Sequence, residues 1–389
     1  MSLTKNIKFK NFRLRHSSKK KTLHLLKGLL VENNEILKSL GRNYRDTYSK
    51  KKIQKLKKFT NVVLIGMGGS ILGAKSIYSF LKKKIKKNFL FVDNFQIEKT
   101  KLKLNKKRLN LIISKSGNTL ETIVNSNIFI KKNNRNIFIT ENKNSYLKIL
   151  ANKLKADVVD HNNYIGGRYS VLSEVGMVPA ELMGLSVKKF RNLNYLVKNK
   201  SFINLLIDNV SSILTLSKDK KSNSVILNYD EQSSDLFYWY QQLVGESLGK
   251  KSKGILPIIS KMPQDNHSLM QLYLDGTKNN FYTFNFVKNN SSQNINSSKL
   301  LKSHKYLKNK SLENILYAQF IATQKVFTKK KLPYRSFLIE KRDEKTLGEL
   351  FTFFILETIL LGKVLNINPY DQPSVELIKT DTKKILINY

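Results

Sequence analysis

Short apolar runs recur along the first half of the chain and alternate with longer segments in which apolar and polar residues mix. The runs are NVVLIGM, KNFLFVDN, RLNLIISK, RNIFITEN and ADVVDH. Intervening segments such as SILGAKSIYSFLKKK and NTLETIVNSNIFIKKN suit helices. Continuous apolar runs are typical of strands buried on both faces. Because strand and helix alternate, the pattern predicts a parallel sheet with helices on both faces.

A second series of the same kind begins near residue 200. Its apolar runs are SVILNY, GILPIIS, NFYTFNF and RSFLIE, and its helical segments include DLFYWYQQLVGESLG and TLGELFTFFILETILLGKVL. Residues 5–57 are basic, and the Leu-rich stretch LHLLKGLLVENNEIL has helical spacing. The pattern therefore predicts an α/β protein with an N-terminal helical segment (1–57), a first domain (58–198) and a second domain with C-terminal helices (199–389).

The stretch VVLIGMGGSILG, residues 62–73, indicates a buried strand, a glycine-rich turn and a helix. Gly68 and Gly69 allow a tight bend and a close approach to a ligand, and Ser70 adds a hydroxyl donor at the helix start. A dinucleotide site is an alternative, since Asp93 closes the next strand. However, Ile71 stands where the third glycine of that fingerprint belongs, and the turn has no nucleotide P-loop lysine.

A second polar turn follows the run LNLIIS. It carries Ser114, Ser116, Thr119 and Thr122 as the next helix begins. Several hydroxyls at a helix amino terminus can hold one phosphoryl group. Helix capping uses the same residue types and stays an alternative for this turn. Two such turns at adjacent strand ends favour a phosphate site.

Charge and composition limit the possible partners. The chain of 389 residues carries 70 Lys+Arg against 28 Asp+Glu, a formal charge of +42. The lysines are scattered through nearly every segment, so we interpret them as solvated surface and do not expect nucleic acid to be the partner. The absence of cysteine excludes disulfides and thiolate chemistry and fits a reducing compartment. We expect a soluble, cytoplasmic protein, because the start of the chain lacks an apolar leader core and the stretch Leu350–Leu361 is too short to span a bilayer.

Six motifs in order make the chain resemble the phosphoglucose isomerase family. They are IGMGGSILG (65–73), SKSGNTLET (114–122), GGRYSVLSEVGMVPAELMG (166–184), GESLGK (245–250), QDNHSLMQLYLDG (264–276) and NINPYDQPSVELIK (366–379). The resemblance implies two sugar-isomerase domains in a short form of the family. It also implies interconversion of glucose 6-phosphate and fructose 6-phosphate, a step of glycolysis and gluconeogenesis, with no metal and no other cofactor.

The resemblance also assigns roles to residues. The proton-transferring base would be Glu246, and Arg168 would stabilise the enediolate, while His267 and Lys379 would assist ring opening. The residues implied for the substrate phosphate are Gly69, Ser70, Ser114, Lys115, Ser116, Thr119 and Gln372. The last motif departs from the family pattern DQWGVELGK, since Pro373, Ser374 and Ile378 stand at positions of an aromatic residue and two glycines.

The residue types suit this chemistry. A carboxylate such as Glu246 can move a proton between neighbouring carbons, although it could instead pair with Lys250 four residues later. A guanidinium such as Arg168 stays charged beside an enediolate, although it could also be a surface arginine. An imidazole can exchange protons near neutrality, and either Asp265 or Asp275 could orient His267.

The resemblance further implies a homodimer in which His267 serves the partner's site. Two alternatives to glucose-6-phosphate isomerisation stay open. One is another phosphosugar isomerase, acting on mannose 6-phosphate or an amino-sugar phosphate. The other is a non-catalytic protein that binds a phosphosugar or nucleic acid with the same fold.

Overall fold

The structure is a computed structural model, and it describes residues 1–12, 14, 18–95, 108–131, 134–289 and 292–389. Within these ranges the strands are β1 (Ser2–Thr4), β2 (Ile7–Lys10), β3 (Asn61–Gly66), β4 (Asn88–Val92), β5 (Leu109–Ile113), β6 (Arg135–Thr140), β7 (Asp157–Asp160), β8 (Asn223–Asn228), β9 (Leu256–Lys261), β10 (Asn280–Val287) and β11 (Tyr334–Ile339).

The α-helices in the same ranges surround these strands. They are α1 (Lys19–Val31), α2 (Glu35–Ser39), α3 (Lys50–Leu56), α4 (Leu72–Phe80), α5 (Leu120–Phe129), α6 (Tyr146–Lys153), α7 (Glu174–Leu182), α8 (Val187–Phe190), α9 (Leu193–Leu196), α10 (Lys200–Lys218), α11 (Ser234–Leu248), α12 (Met270–Asp275), α13 (Leu312–Lys329), α14 (Glu344–Leu365) and α15 (Val375–Ile387).

The strands form two sheets. The first has the order β4-β3-β5-β6-β7, and every pairing in it is parallel. The second has the order β1-β2-β11-β10-β8-β9, in which β8 to β11 are parallel. The predicted α/β architecture, with parallel sheets flanked by helices, is confirmed. All apolar runs of the two predicted series lie in strands.

The N-terminal segment differs from the prediction of helix. Strand β2 pairs antiparallel with β11, with Phe9 opposite Phe337, and β1 pairs antiparallel with β2. In β2 the side chains of Ile7 and Phe9 are buried and Lys8 is exposed, which is the period of two expected for a strand. Residues 2–10 therefore complete the second sheet, and the first helix in the described part of the chain begins at Lys19.

One hydrophobic cluster runs through both halves of the molecule, from Leu64 in β3 to Phe351 in α14. Helices α4 and α11 pack against each other, and α14 packs on α10, α11 and α1. The division of the chain at residues 198 and 199 stays a prediction. No helix within the described part of the chain combines the length and the apolar character needed to cross a membrane.

A buried ion pair fixes α11, which carries part of the site. Arg335 of β11 bonds Glu357 of α14, and both side chains are fully buried. The Tyr240 hydroxyl of α11 donates to Glu357 Oε1 at 2.8 Å, and Arg335 Nη1 donates to Asn209 Oδ1 of α10 at 2.9 Å. A buried charge is tolerated when its partners satisfy it, and these bonds set the position of α11 against α14 and the sheet.

Candidate active site

The glycine-rich turn lies where β3 ends and α4 begins. Residues 68–70 form a single 3₁₀ turn, and Gly68 has φ of +51°, a left-handed value that favours glycine. A Cβ atom on Gly69 would lie 2.1 Å from the carbonyl carbon of Gly167. The turn therefore needs glycine at position 69, because it touches the backbone of the turn that carries Arg168.

The hydroxyl-rich turn follows β5, which is the neighbour of β3 in the sheet. The buried Ser114 Oγ lies 2.9 Å from Thr119 Oγ1 and accepts a bond from the Gly117 N–H at 3.2 Å. The Asn118 N–H donates to Ser116 Oγ at 3.2 Å. Thr119 occupies the N-cap of α5, but its side chain makes no capping bond. The hydroxyls thus hold the shape of the turn, and Ser116 is exposed at its surface.

Lys115 extends from the same turn to the loop after β7. Its Nζ donates to the Asn163 carbonyl oxygen at 2.8 Å and lies 3.6 Å from Glu141. A cavity of about 570 Å³ adjoins this lysine and the turn at residues 167–172, which carries Arg168 and is called the arginine turn below. Its lining includes Glu35, Lys115, Gly166, Tyr169 and Tyr370.

The buried carboxylate of Glu174 holds the loop after β7. The Asn162 N–H donates to Glu174 Oε1 at 2.6 Å, and the Tyr44 hydroxyl lies 3.3 Å from Glu174 Oε2. Burial raises the pKa of Glu174, and burial lowers the pKa of the neighbouring His161 to about 4. These contacts fix the loop that leads from β7 into the arginine turn.

Arg168 lies in the 3₁₀ turn formed by residues 167–172, and it is 1% exposed. Its Nε donates to Ser247 Oγ at 2.8 Å, and its Nη1 donates to Glu246 Oε2 at 3.1 Å and to Gln372 Oε1. Its Nη2 donates to the carbonyl oxygens of Pro369 at 2.7 Å and Asp371 at 3.1 Å. These bonds engage all five N–H donors of the guanidinium. The alternative of a surface arginine is wrong.

Glu246 lies in the last turn of α11 and faces Arg168. Its carboxylate is 33% exposed, and its Oε1 accepts a bond from Gln242 Nε2 at 2.8 Å. The alternative pairing with Lys250 is not formed, because Lys250 bonds Asp371 instead. Gln242 is a site residue that the sequence reasoning missed. Its position four residues before Glu246, on the same helix face, was the available signal.

Not all of the predicted residues join this cluster. Gln372 reaches it through Arg168, whereas Lys379 is exposed on α15 and pairs with Glu376 at 2.6 Å. His267 is exposed after a short turn at residues 264–266, and among the described residues its side chain makes no hydrogen bond.

Neither aspartate that was expected to orient His267 does so. Asp265 accepts bonds from Ser260 Oγ at 2.8 Å and from the Lys261 N–H at 2.7 Å, and Asp275 pairs with Lys330. This expectation is therefore wrong, because both carboxylates have other partners. As for metals, no group of three or more His, Asp or Glu side chains within the described ranges could hold one.

Comparison with known sequences finds one matching family and individual proteins that are similar to this chain. The sequence model of the family described as phosphoglucose isomerase matches residues 4–388. The chain is 34% identical over 348 residues to a glucose-6-phosphate isomerase of Methanocaldococcus jannaschii, covering 84% of each chain. It is 35% identical over 356 residues to a glucose-6-phosphate isomerase of Mycoplasmopsis pulmonis, covering 84% of this chain and 82% of the relative.

Solved structures share the fold. A hypothetical protein from Thermus thermophilus superposes with a TM-score of 0.83 at 23% identity, over 95% of this chain and 94% of that one. A glucose-6-phosphate isomerase from Chlamydia trachomatis gives a TM-score of 0.71 at 18% identity, over 98% of this chain and 89% of that one. At these identities the likeness extends to the fold alone.

Proposed function

Because this chain belongs to the phosphoglucose isomerase family, we propose that it interconverts glucose 6-phosphate and fructose 6-phosphate. The observation that carries the proposal is the contact between the buried Arg168 and the partly exposed Glu246 at 3.1 Å. This pair lies where the arginine turn meets the glycine-rich turn. A fixed cation beside a carboxylate, next to turns suited to phosphate, provides the groups that aldose–ketose isomerisation needs.

In the proposed reaction, the two turns bind the phosphate of the sugar. Gly69 and Ser70 contribute from the first turn, Ser114, Lys115, Ser116 and Thr119 from the second, and Gln372 from the segment bonded to Arg168. Backbone N–H groups and hydroxyls suit a dianionic phosphate, and Lys115 adds a positive charge. The net charge of +42 would also attract an anionic substrate toward the cleft.

Glu246 is the proposed base. Its carboxylate removes the proton from carbon 2 of the open-chain aldose and returns it to carbon 1, while a proton moves from the oxygen on carbon 2 to the oxygen on carbon 1. The atoms balance without a metal, a nucleotide or a redox partner. Gln242 holds Oε1 of the carboxylate, and Arg168 contacts Oε2, so the geometry of the base is set from both sides.

Arg168 is the proposed stabiliser of the enediolate. Since all five of its N–H donors are engaged, it can donate to the substrate only by giving up one bond. Of the residues that accept these bonds, Gln372 is the one whose side chain is both exposed and neutral. We infer that Gln372 moves from Arg168 to the substrate when the sugar phosphate binds, which frees one Nη1 donor.

His267 and Lys379 are the proposed ring-opening residues, and both lie outside the cluster in the single chain. The proposal is therefore a homodimer in which His267 enters the partner's site. Mixing Glu246→Gln and His267→Ala chains tests this arrangement. Hybrid dimers regain one working site if the two residues act across the interface, and they stay inactive if each site uses its own chain alone.

The test of the reaction itself is exchange of the hydrogen at carbon 2 of glucose 6-phosphate with labelled solvent. Exchange that requires the protein and is lost in Glu246→Gln supports the proposal, and the absence of exchange with the folded protein contradicts it. A panel of mannose 6-phosphate and glucosamine 6-phosphate tests the alternative substrates. We place the enzyme in the cytoplasm, in keeping with a chain that has no cysteine.

A non-catalytic protein that binds nucleic acid or a phosphosugar would behave differently in these experiments. A nucleic-acid-binding protein would lose affinity for DNA steeply as salt rises, and it would not require Glu246 and Arg168 in contact. Binding of a sugar phosphate without turnover would favour a sensor. Turnover that depends on Glu246 would favour the enzyme.

A further inference from the structure

The segment Ile367–Gln372 folds back from the end of α14 onto the end of α11. Asn366 ends α14 in a left-handed conformation with φ of +59°, and the Ile367 N–H donates to the Gly362 carbonyl oxygen at 2.8 Å. Gly362 leaves room for the fold-back, because a Cβ atom there would lie 3.0 Å from Pro369. Residues 371–380 after this point are all exposed. The segment 367–372 is thus the last part of the chain held against the body of the protein before α15.

Lys250 holds this segment from one side. Its Nζ donates to the Asn368 carbonyl oxygen and to Asp371 Oδ1, the latter at 2.5 Å. The Asn368 side chain in turn donates to Asp371 Oδ2 at 3.1 Å. The Lys250 side chain is only 12% exposed, and the bond from its ammonium holds the pKa of Asp371 below the usual range.

Arg168 holds the same segment from the other side, through Pro369, Asp371 and Gln372. Its remaining donors reach Ser247 and Glu246 of α11. Arg168 thus connects the segment to the proposed base. A shift of residues 367–372 would remove three of the acceptors that keep the guanidinium in place.

The position of Lys250 follows from the end of α11. Helix α11 ends at Leu248 with Gly249 as its C-cap, so Lys250 is no longer on the helix face that carries Glu246. The two oxygens of Glu246 accept from Gln242 and Arg168, and the ammonium of Lys250 is used by Asn368 and Asp371. Lys250 therefore acts on the C-terminal segment and not on the base directly.

We propose that Lys250 is a positioning residue for the isomerase reaction. It keeps the segment 367–372 next to α11, so that Gln372 lies beside Arg168 when the sugar phosphate arrives and Arg168 stays on Glu246. The inference rests on the proposed function, since it assigns Lys250 a part in the same site. It also makes the placement of α15, which carries Lys379, depend on Lys250.

The test compares Lys250→Met with Lys250→Arg and Lys253→Met. Lys253 is the matched control, because its Nζ donates to the Leu365 carbonyl oxygen at 3.3 Å, just before the segment. Lys250→Met is expected to lower kcat/KM about tenfold, mainly through kcat, which is the effect of losing one hydrogen bond to a charged group. Lys250→Arg is expected to restore most of the activity, and Lys253→Met to leave it unchanged.

Two further measurements separate positioning from loss of folding. Asp371→Asn removes the other member of the pair at an exposed carboxylate, and its effect on kcat/KM should not add to that of Lys250→Met. Hydrogen exchange of the backbone amides in residues 367–372 should be faster in Lys250→Met than in Lys253→Met.

The outcomes separate the two proposals. Unchanged exchange in residues 367–372 would overturn the role of Lys250 whatever the activity. Faster exchange with unchanged kcat/KM would also overturn it, because the segment would then be loose without consequence. A wild-type protein that holds this segment but does not isomerise the sugar would overturn the proposed function and with it the catalytic meaning of Lys250.

Discussion

Arg168 and Glu246 form an ion pair at 3.1 Å in which the guanidinium is 1% exposed and the carboxylate is 33% exposed. The cation is thus fixed by the protein, and the carboxylate remains open to a substrate. Such an arrangement suits a reaction in which negative charge develops beside the base, because the compensating charge is already in place before the reaction begins.

Replacing Glu246 by Gln should lower kcat by a factor of about 10² to 10⁴, since an amide cannot take up the proton. The amide keeps the size of the side chain, so affinity for glucose 6-phosphate should change little. A coupled assay and isothermal titration measure the two quantities. Glu231→Gln is the control, because the Glu231 side chain is 84% exposed and its contact with the Lys261 ammonium is long, at 3.7 Å. Wild-type turnover in Glu246→Gln would exclude this residue as the base.

Replacing Gln242 by Leu should lower kcat about tenfold with a small change in KM. The bond from Gln242 Nε2 to Glu246 Oε1 is lost, and the cost corresponds to one hydrogen bond to a charged group. Gln241→Leu is the matched control on the same helix, since Gln241 donates to the Pro257 carbonyl oxygen at 2.7 Å. Equal losses of kcat in both variants would mean that the effect arises from α11 as a whole.

Replacing Gly69 by Ala should raise KM for the sugar phosphate at least tenfold or destabilise the protein. The new Cβ atom would lie 2.1 Å from Gly167, and overpacking of this kind costs about 1–3 kcal/mol or more. Urea unfolding and steady-state kinetics measure the two effects.

Gly28→Ala in α1 provides the contrast. Nothing lies within 4 Å of the added methyl group, so this variant should gain about 0.5–1 kcal/mol of stability. If Gly69→Ala behaved like Gly28→Ala, the two turns could not be in contact.

Stability should fall as the pH is lowered, in part through His161. Its pKa is about 4 in the folded protein and 6.5 in an unfolded chain, so the unfolded state takes up a proton first. Between pH 7 and pH 5 the free energy of unfolding should drop by on the order of 2 kcal/mol from this residue. Glu174, whose pKa is raised by burial, opposes this drop, because as the pH falls it binds a proton in the folded state before it does so in the unfolded chain.

Urea unfolding at pH 7 and pH 5 of wild type and His161→Gln measures this contribution. The variant should lose less stability than wild type over the same interval. His24→Gln serves as the control, since the His24 side chain is exposed on α1. An equal drop in wild type and His161→Gln would contradict the buried, neutral state of His161.

The regular elements of the sheets could be predicted because their signal is local. The apolar runs of β3 to β11 are bounded by polar residues, and strands buried on both faces need such runs. The strands β1 and β2 gave a weak signal. They contain only three and four residues, and β11, with which β2 pairs, lies more than 300 residues away, so the short apolar–polar alternation in β2 is a weak local signal.

The motifs named Arg168 and Glu246, which the structure brings into contact, while the roles assigned to them and to the two turns stay predictions. The prediction failed where a side chain's partner is set by tertiary structure. Lys250 has helical spacing to Glu246, but the helix ends between them and the lysine turns to Asp371. Asp265 is near His267 in sequence, yet its carboxylate caps the backbone at Lys261. Spacing limits which residues can meet, and packing decides which do.

The pairing of β2 with β11 has a consequence for biosynthesis. A ribosome releases residues 1–10 long before it has made Tyr334–Ile339, so β2 has no β11 to pair with while most of the polypeptide emerges. Until then β2 presents buried-type apolar side chains and an edge of unpaired backbone groups. Surfaces of this kind attract chaperones or another nascent chain. The three lysines among those residues, at positions 5, 8 and 10, would discourage such encounters by mutual repulsion.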